Sequence, residues 1–184
     1  MKRSTGIVLV IFLALVGLLF YLNQKESPAE EQDATPVPPT EFLFDASLGA
    51  PVSIDIKSEA GEQVAIVRNE DGVWVLKQPI ETEANQGSAE AAASQLSSLR
   101  IESRLKVASD ATGLVQPSFI LTVEMGDGTV NTVRIGDLTP TGIGYYVQVN
   151  GSDETIIVDK TGLDALLVLV ESPPYIDETG TSTP

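Results

Sequence analysis

The chain has no cysteine and no histidine among its 184 residues. These two absences exclude thiol nucleophiles, imidazole bases and the zinc sites that are built from cysteine and histidine. A serine nucleophile would then need a lysine as its base. An enzyme is therefore not expected, and the sequence identifies no catalytic, cofactor-binding or metal-binding residue.

Basic residues are also scarce: 11 Lys and Arg stand against 26 Asp and Glu, which gives a formal charge of −15. Three of the basic residues, Lys2, Arg3 and Lys25, flank an apolar segment near the N-terminus, which leaves 8 beyond it. All the acidic residues lie beyond that segment. This balance argues against nucleic acid as a partner and against docking on anionic lipid, since both need clustered Lys and Arg.

The apolar segment covers residues 6–22 and contains no charged residue. Its length is at the lower limit for a helix that crosses a bilayer. With residues 1–5 basic and the following segment acidic, the positive-inside rule places the N-terminus in the cytoplasm. A cleaved signal peptide is the alternative, but the apolar core is long for one and no small-residue cleavage site follows it. We expect an uncleaved signal anchor and a single-pass protein of the cell membrane.

Three further segments follow the anchor. Residues 23–42 are rich in Pro and Glu and predict an extended linker without a core of its own. Residues 43–172 predict one extracytoplasmic domain, long enough to fold without disulfides. Residues 173–184 predict a flexible tail.

Within the domain, period-two alternation and turn signals predict an α+β fold made of two antiparallel β-meanders joined by an amphipathic helix. The first meander is expected over 52–57, 63–68 and 73–77. The second is expected over 119–125, 130–135, 145–149 and 155–158. The joining helix covers 85–99 with Asn85 as its N-cap, and 101–107 follows as a charged edge strand. A capping box over 161–164 opens a short C-terminal helix that continues to residue 170.

Few patterns in the sequence suggest specific chemistry. Gly142 and Gly144 lie between strands with no helix start after them, so they predict a turn and not a phosphate loop. Asp127, Asp137 and Asp153 follow no calcium-loop spacing and are expected to serve turns. Asn150 begins a formal glycosylation sequon, although Asn150-Gly151 is better explained as a hairpin turn.

Several short motifs occur in an order that is typical of one bacterial family. They are Gly72-Val-Trp74 with Gln78-Pro79, Leu96-Ser-Ser-Leu99, Gly113-Leu114 with Pro117, Gly126-Asp-Gly128, Ile135-Gly136-Asp137 and Thr141-Gly-Ile-Gly-Tyr-Tyr146. Over about residues 52–170 the chain resembles the domain-of-unknown-function 4340 family. The resemblance implies an extracytoplasmic domain after one membrane helix, and a companion of transport-type or gliding-type membrane systems.

These observations favour a non-catalytic interaction or accessory domain for an envelope or transport-type membrane complex. Its expected partners are the membrane, through the single span, and an envelope or transporter protein. An extracytoplasmic domain that binds a small molecule or glycan is the alternative. It would use Trp74, Tyr145 and Tyr146 as stacking surfaces, although Trp74 alone is better explained as a core residue.

Overall fold

The computed structural model describes residues 40–106 and 111–176, all of them within the unit Thr40–Pro184. Ten strands and two α-helices make up this part. The strands are Glu41–Phe42 (β1), Pro51–Ser58 (β2), Gln63–Arg68 (β3), Trp74–Gln78 (β4), Thr82–Glu83 (β5), Arg100–Leu105 (β6), Phe119–Met125 (β7), Val130–Leu138 (β8), Gly144–Val149 (β9) and Thr155–Asp159 (β10). The helices are Gln86–Ser97 (α1) and Lys160–Glu171 (α2), and a short 3-10 turn covers Ala46–Leu48.

All ten strands belong to a single antiparallel sheet in the order β1-β6-β10-β9-β8-β7-β2-β3-β4-β5. The two predicted meanders, β2 to β4 and β7 to β10, are both present. They meet where β2 pairs with β7, with Ile54 opposite Val123 and Ile56 opposite Leu121. The two meanders therefore share one hydrogen-bonded sheet.

Both helices cover the same face of this sheet. Alternate residues of the strands, such as Ile54, Ile66 and Val133, point toward them and are almost fully buried. Ala89, Ala92, Ala93 and Leu96 form the buried face of α1. Because three of these four side chains are small, α1 can approach the sheet closely as it leads from β5 at one end to β6 near the other.

On the opposite face, the described part of the β6–β7 connection lies against β8. Arg134 alternates with the core residues Val133 and Ile135, and its Nη2 donates to the Val115 carbonyl at 3.2 Å. Gly136 allows the approach, since a Cβ there would overlap the carbonyl oxygen of Thr112. This position therefore requires glycine for steric reasons.

The sequence predicted the α+β class and most of the elements correctly. The N-cap of α1 is Asn85, as predicted, and its side chain accepts from Ser88 N at 3.0 Å. Two predictions are wrong. The cap of α2 is Asp159, which accepts from Gly162 N at 2.8 Å, and not Thr161. The predicted strand 101–107 is β6, but it lies between β10 and β1 and is not the edge, because Glu41–Phe42 pair with it.

Those two residues, Glu41 and Phe42, are the last of the segment predicted as linker. At the other end of the domain, Tyr175 forms an isolated bridge with Ala84. The predicted anchor at 6–22 lies outside the described residues. Within the part of the chain that the structure describes, no helix has the length and hydrophobicity to span a bilayer.

Candidate functional site

An open groove of about 580 Å³ lies between α2 and one end of the sheet. One wall comes from the second half of α2, including Leu167, Val168 and Val170. The opposite side is formed by the β2–β3 turn and by Phe119 at the start of β7. Pairing of β2 with β7 brings that turn and Phe119 together, because Ser58 lies opposite Phe119.

The apolar part of this groove continues into the core. Leu167 and Val170 are buried, and Phe119 packs on the same hydrophobic cluster. Val168, next to Leu167 on the helix, is 50% exposed. Val168 therefore presents an open apolar surface beside the floor of the groove.

Tyr145 and Asp164 also line the groove, and the bond between them joins α2 to β9. The Tyr145 hydroxyl donates to Asp164 Oδ1 at 2.8 Å, and Lys160 donates to the other carboxylate oxygen. Burial, followed by the bond to Asp164, raises the pKa of Tyr145 to about 12. Burial alone would raise the pKa of Asp164, but the hydrogen bonds from Lys160 and Tyr145 together outweigh it and lower that pKa.

The rim of the groove is acidic. Glu59 and Glu62 stand on the β2–β3 turn, Glu171 stands at the end of α2, and no basic side chain of the described residues lines the groove. Within the described ranges, none of these three carboxylates forms an ion pair with a neighbouring Lys or Arg. Lys160, the base that approaches from α2, is engaged with Asp164.

A second depression of about 310 Å³ adjoins the groove and shares Ser58 and Glu59 with it. Gln116, Pro117 and the partly exposed Ile120 also line this depression. Ile120 alternates with the core residue Leu121, so its side chain points to the sheet face opposite the helices. The two concavities thus meet at the β2–β3 turn.

Trp74 lies away from this groove and serves the core, as predicted. It is 1% exposed, and its Nε1 donates to Glu90 Oε2 at 2.8 Å. The Arg68 guanidinium lies 4.7 Å from the centre of its ring and also pairs with Glu90. Gln86 binds both backbone groups of Trp74, accepting from N at 2.8 Å and donating to O at 2.9 Å.

The three aromatic residues considered as a stacking surface do not come together. Five strand spacings separate β4, which carries Trp74, from β9, which carries Tyr145, a distance of about 24 Å. Tyr145 and Tyr146 are consecutive on β9 and point to opposite faces. Burial of Trp74 and this separation remove the observation on which the glycan-binding alternative depended.

The aspartates considered for calcium also lie apart. Asp127 is in the β7–β8 turn, where it accepts from Thr129 N at 2.8 Å, and Asp153 follows β9 at the same end of the sheet. Asp137 is near the far end of β8, about 25 Å away along the strand. Among residues 40–106 and 111–176, no group of three or more acidic side chains is placed to hold a metal ion.

The two remaining turn motifs have the predicted roles. Gly142 adopts φ +71° in the β8–β9 turn, which Gly142 N closes by donating to the Thr139 carbonyl at 2.8 Å. Asn150 adopts φ 51° in the β9–β10 turn and accepts from Thr132 N at 2.8 Å. Its Nδ2, the atom that a glycan would modify, donates to Asn131 Oδ1 at 2.9 Å.

A Ser-x-x-Lys sequence, the spacing at which some serine enzymes carry a nucleophile and a lysine, runs from Ser103 to Lys106 at the end of β6. Residues three apart on a strand point to opposite faces and lie about 10 Å apart. Ser103 and Lys106 therefore do not form the nucleophile and base of a serine enzyme.

Of the groove residues, the sequence predicts a binding role only for Tyr145, as a stacking surface. A further signal was Val168, an apolar residue that, like Leu169, lies outside the buried set of α2, which is Gly162, Leu163, Leu166, Leu167 and Val170. Glu59 and Glu62 gave no signal, because only the β2–β7 pairing brings their turn to the helix.

Together these features define a class of protein: an α+β domain in which two helices cover one face of a single antiparallel sheet, with an open groove at the end of one helix. The family model "Domain of unknown function (DUF4340)" matches residues 74–170, more than half of the chain. The chain belongs to this family. No curated protein and no solved structure shows significant similarity to this chain.

Proposed function

We propose that this protein is a non-catalytic interaction domain, anchored in the membrane by residues 6–22 and accessory to an envelope or transport-type membrane complex. The observation that carries the proposal is the groove between α2 and the β2–β3 turn, an open concavity that combines apolar surface with carboxylates that form no ion pair among the described residues. Protein interfaces commonly pair a desolvated apolar centre with a charged rim. The groove has both parts.

The side chains at the groove also favour binding over catalysis. The titratable pair that touches it, Tyr145 and Asp164, is bonded internally, and Lys160 holds the other side of the carboxylate. With its pKa raised to about 12, Tyr145 remains protonated at neutral pH and is poorly suited to act as a general base. Its role is to fasten α2 to the sheet beside the groove.

The experiment is site-specific photocrosslinking in the native membrane. A photoreactive amino acid at position 168 places the probe on the groove wall, where Val168 is 50% exposed. The same amino acid at position 80 is the control, because Ile80 is 63% exposed and does not line the groove. We expect position 168 to yield a discrete crosslinked membrane or envelope protein and position 80 to yield none.

Mass spectrometry of the crosslinked band would then identify the partner. Equal crosslinking from both positions, or none from position 168 while the protein is present in the membrane, would contradict the proposal.

A further inference from the structure

We infer that the groove binds a short polypeptide segment of the partner in which a large apolar side chain is flanked by Lys or Arg. This inference rests on the function proposed above and specifies the chemistry of the partner.

The charge requirement follows from the rim. Glu59, Glu62 and Glu171 approach the groove from two different elements, and within the described residues they have no basic partner. An acidic segment would meet repulsion from all three, in a protein whose overall charge is −15. A segment with Lys or Arg on both sides of its anchor would neutralise them, and such complementarity mainly supplies specificity and association rate.

The apolar requirement follows from the floor. Val168 exposes half of its surface next to Leu167 and Val170, and Phe119 lies across from them. Covering these side chains removes apolar area from water, the main favourable term in association. A Leu or Phe of the partner is large enough to reach this floor from the rim.

The shape favours a polypeptide over a small cation. The groove is open along one side, and a second depression continues from Ser58 and Glu59 toward Gln116 and Ile120. Small-molecule sites generally enclose most of their ligand, whereas a chain segment can follow adjoining depressions. Lys57 lines the second depression and not the groove. The preference for Lys or Arg in the bound segment is therefore confined to the groove.

The test measures peptide binding to the full-length protein in nanodiscs of zwitterionic lipid. The probe is a fluorescein-labelled peptide, acetyl-Lys-Lys-Leu-Phe-Lys-Lys-amide, and binding is followed by fluorescence anisotropy. One comparison peptide replaces every Lys by Glu, and another replaces Leu and Phe by Ser. We expect the first peptide to bind at least about tenfold more tightly than either of the others, as expected when several charge pairs or an anchor are lost.

Two matched sets of substitutions locate the binding. Glu59→Gln, Glu62→Gln and Glu171→Gln together should weaken the probe about tenfold. The control, Glu70→Gln, Glu83→Gln and Glu124→Gln, changes three exposed acids by the same net charge and should leave the affinity within about twofold. Equal weakening in both sets would mean attraction to the overall negative charge, and would overturn the inference.

The apolar contact is tested separately by Val168→Asp, with Ile80→Asp as its control. Both side chains are half exposed or more, so neither substitution disturbs the core, and circular dichroism checks this. Only Val168→Asp should abolish binding. If the peptides fail to bind but photocrosslinking at position 168 persists, the partner has another chemistry, and this inference fails while the proposed function stands. If the peptides fail to bind and position 168 gives no crosslink, both this inference and the proposed function are overturned.

Discussion

Several separate interactions meet at Trp74. Glu90 accepts its indole proton, Arg68 stacks on its ring, and Gln86 binds both of its backbone groups. Glu90 and Gln86 belong to α1, whereas Arg68 belongs to β3. One side chain thus joins the helix to two strands, which explains why a solitary tryptophan is placed here and not on the surface.

Removing the carboxylate that accepts the indole hydrogen bond should lower the stability of the domain measurably. Glu90→Ala leaves the indole N–H of the buried Trp74 without its partner, and we expect it to lower the free energy of unfolding by about 1 kcal/mol. This is the lower end of the cost for an unpaired buried donor, because the Glu90 side chain is itself 57% exposed. Urea unfolding followed by fluorescence of the single tryptophan gives the value. Glu90→Gln keeps an acceptor and should cost less; an equal loss would contradict this role.

The same pair predicts a dependence on pH. The hydrogen bond from Trp74 lowers the pKa of Glu90, burial opposes it, and Arg68 adds to the lowering. The pKa of Glu90 is lower in the folded state, so the stability that its ionised carboxylate contributes is fully present above the unfolded-state pKa near 4.5. That stability is lost as the pH falls through the lower folded-state pKa. The stability difference between the wild type and Glu90→Gln should therefore shrink in acid.

Among the helices, α2 matters most for the groove, and its start is set by Asp159. The Asp159 carboxylate accepts from Gly162 N, and Arg100 Nη2 lies 4.0 Å from its other oxygen. The sequence predicts Thr161 as the cap because Thr161-x-x-Asp164 resembles a capping box. Asp164, however, is directed at Tyr145 and Lys160, so it cannot complete such a box.

This difference gives a direct comparison of two single substitutions. Asp159→Ala should lower the free energy of unfolding by about 1 kcal/mol, the usual cost of losing an N-cap. Thr161→Ala, at an exposed position of the first turn, should change it by less than about 0.5 kcal/mol. Thermal and urea unfolding both report the difference, and the opposite ranking would restore the capping box.

Elements with strong local patterns could be predicted from the sequence. The alternation in β2, β3 and β7 and the cap at Asn85 are local signals, and the structure confirms all of them. The two-residue strand β1 carries too few residues for any pattern to emerge. Its pairing with β6 is a tertiary contact about 60 residues away in sequence, which local reasoning could not detect.

At the scale of the whole molecule, the pairing of β2 with β7 is the contact that determines the architecture. It turns two meanders into one sheet, and it places the β2–β3 turn beside α2 to form the groove. The sequence predicted both meanders but not which strands join them, because register between distant strands depends on the shared core and not on either strand alone. The groove could therefore be recognised only once the three-dimensional fold was known.

The most direct measurement is the rate at which a cysteine in the groove is labelled by a thiol reagent in native membranes and after purification. The chain has no cysteine, so Val168→Cys introduces a unique thiol, and Ile80→Cys provides the exposed control. If a partner occupies the groove, Val168→Cys will be labelled more slowly in membranes than when purified, while Ile80→Cys will react equally in both. Equal rates for Val168→Cys in both preparations would contradict the assignment of the groove as a binding surface.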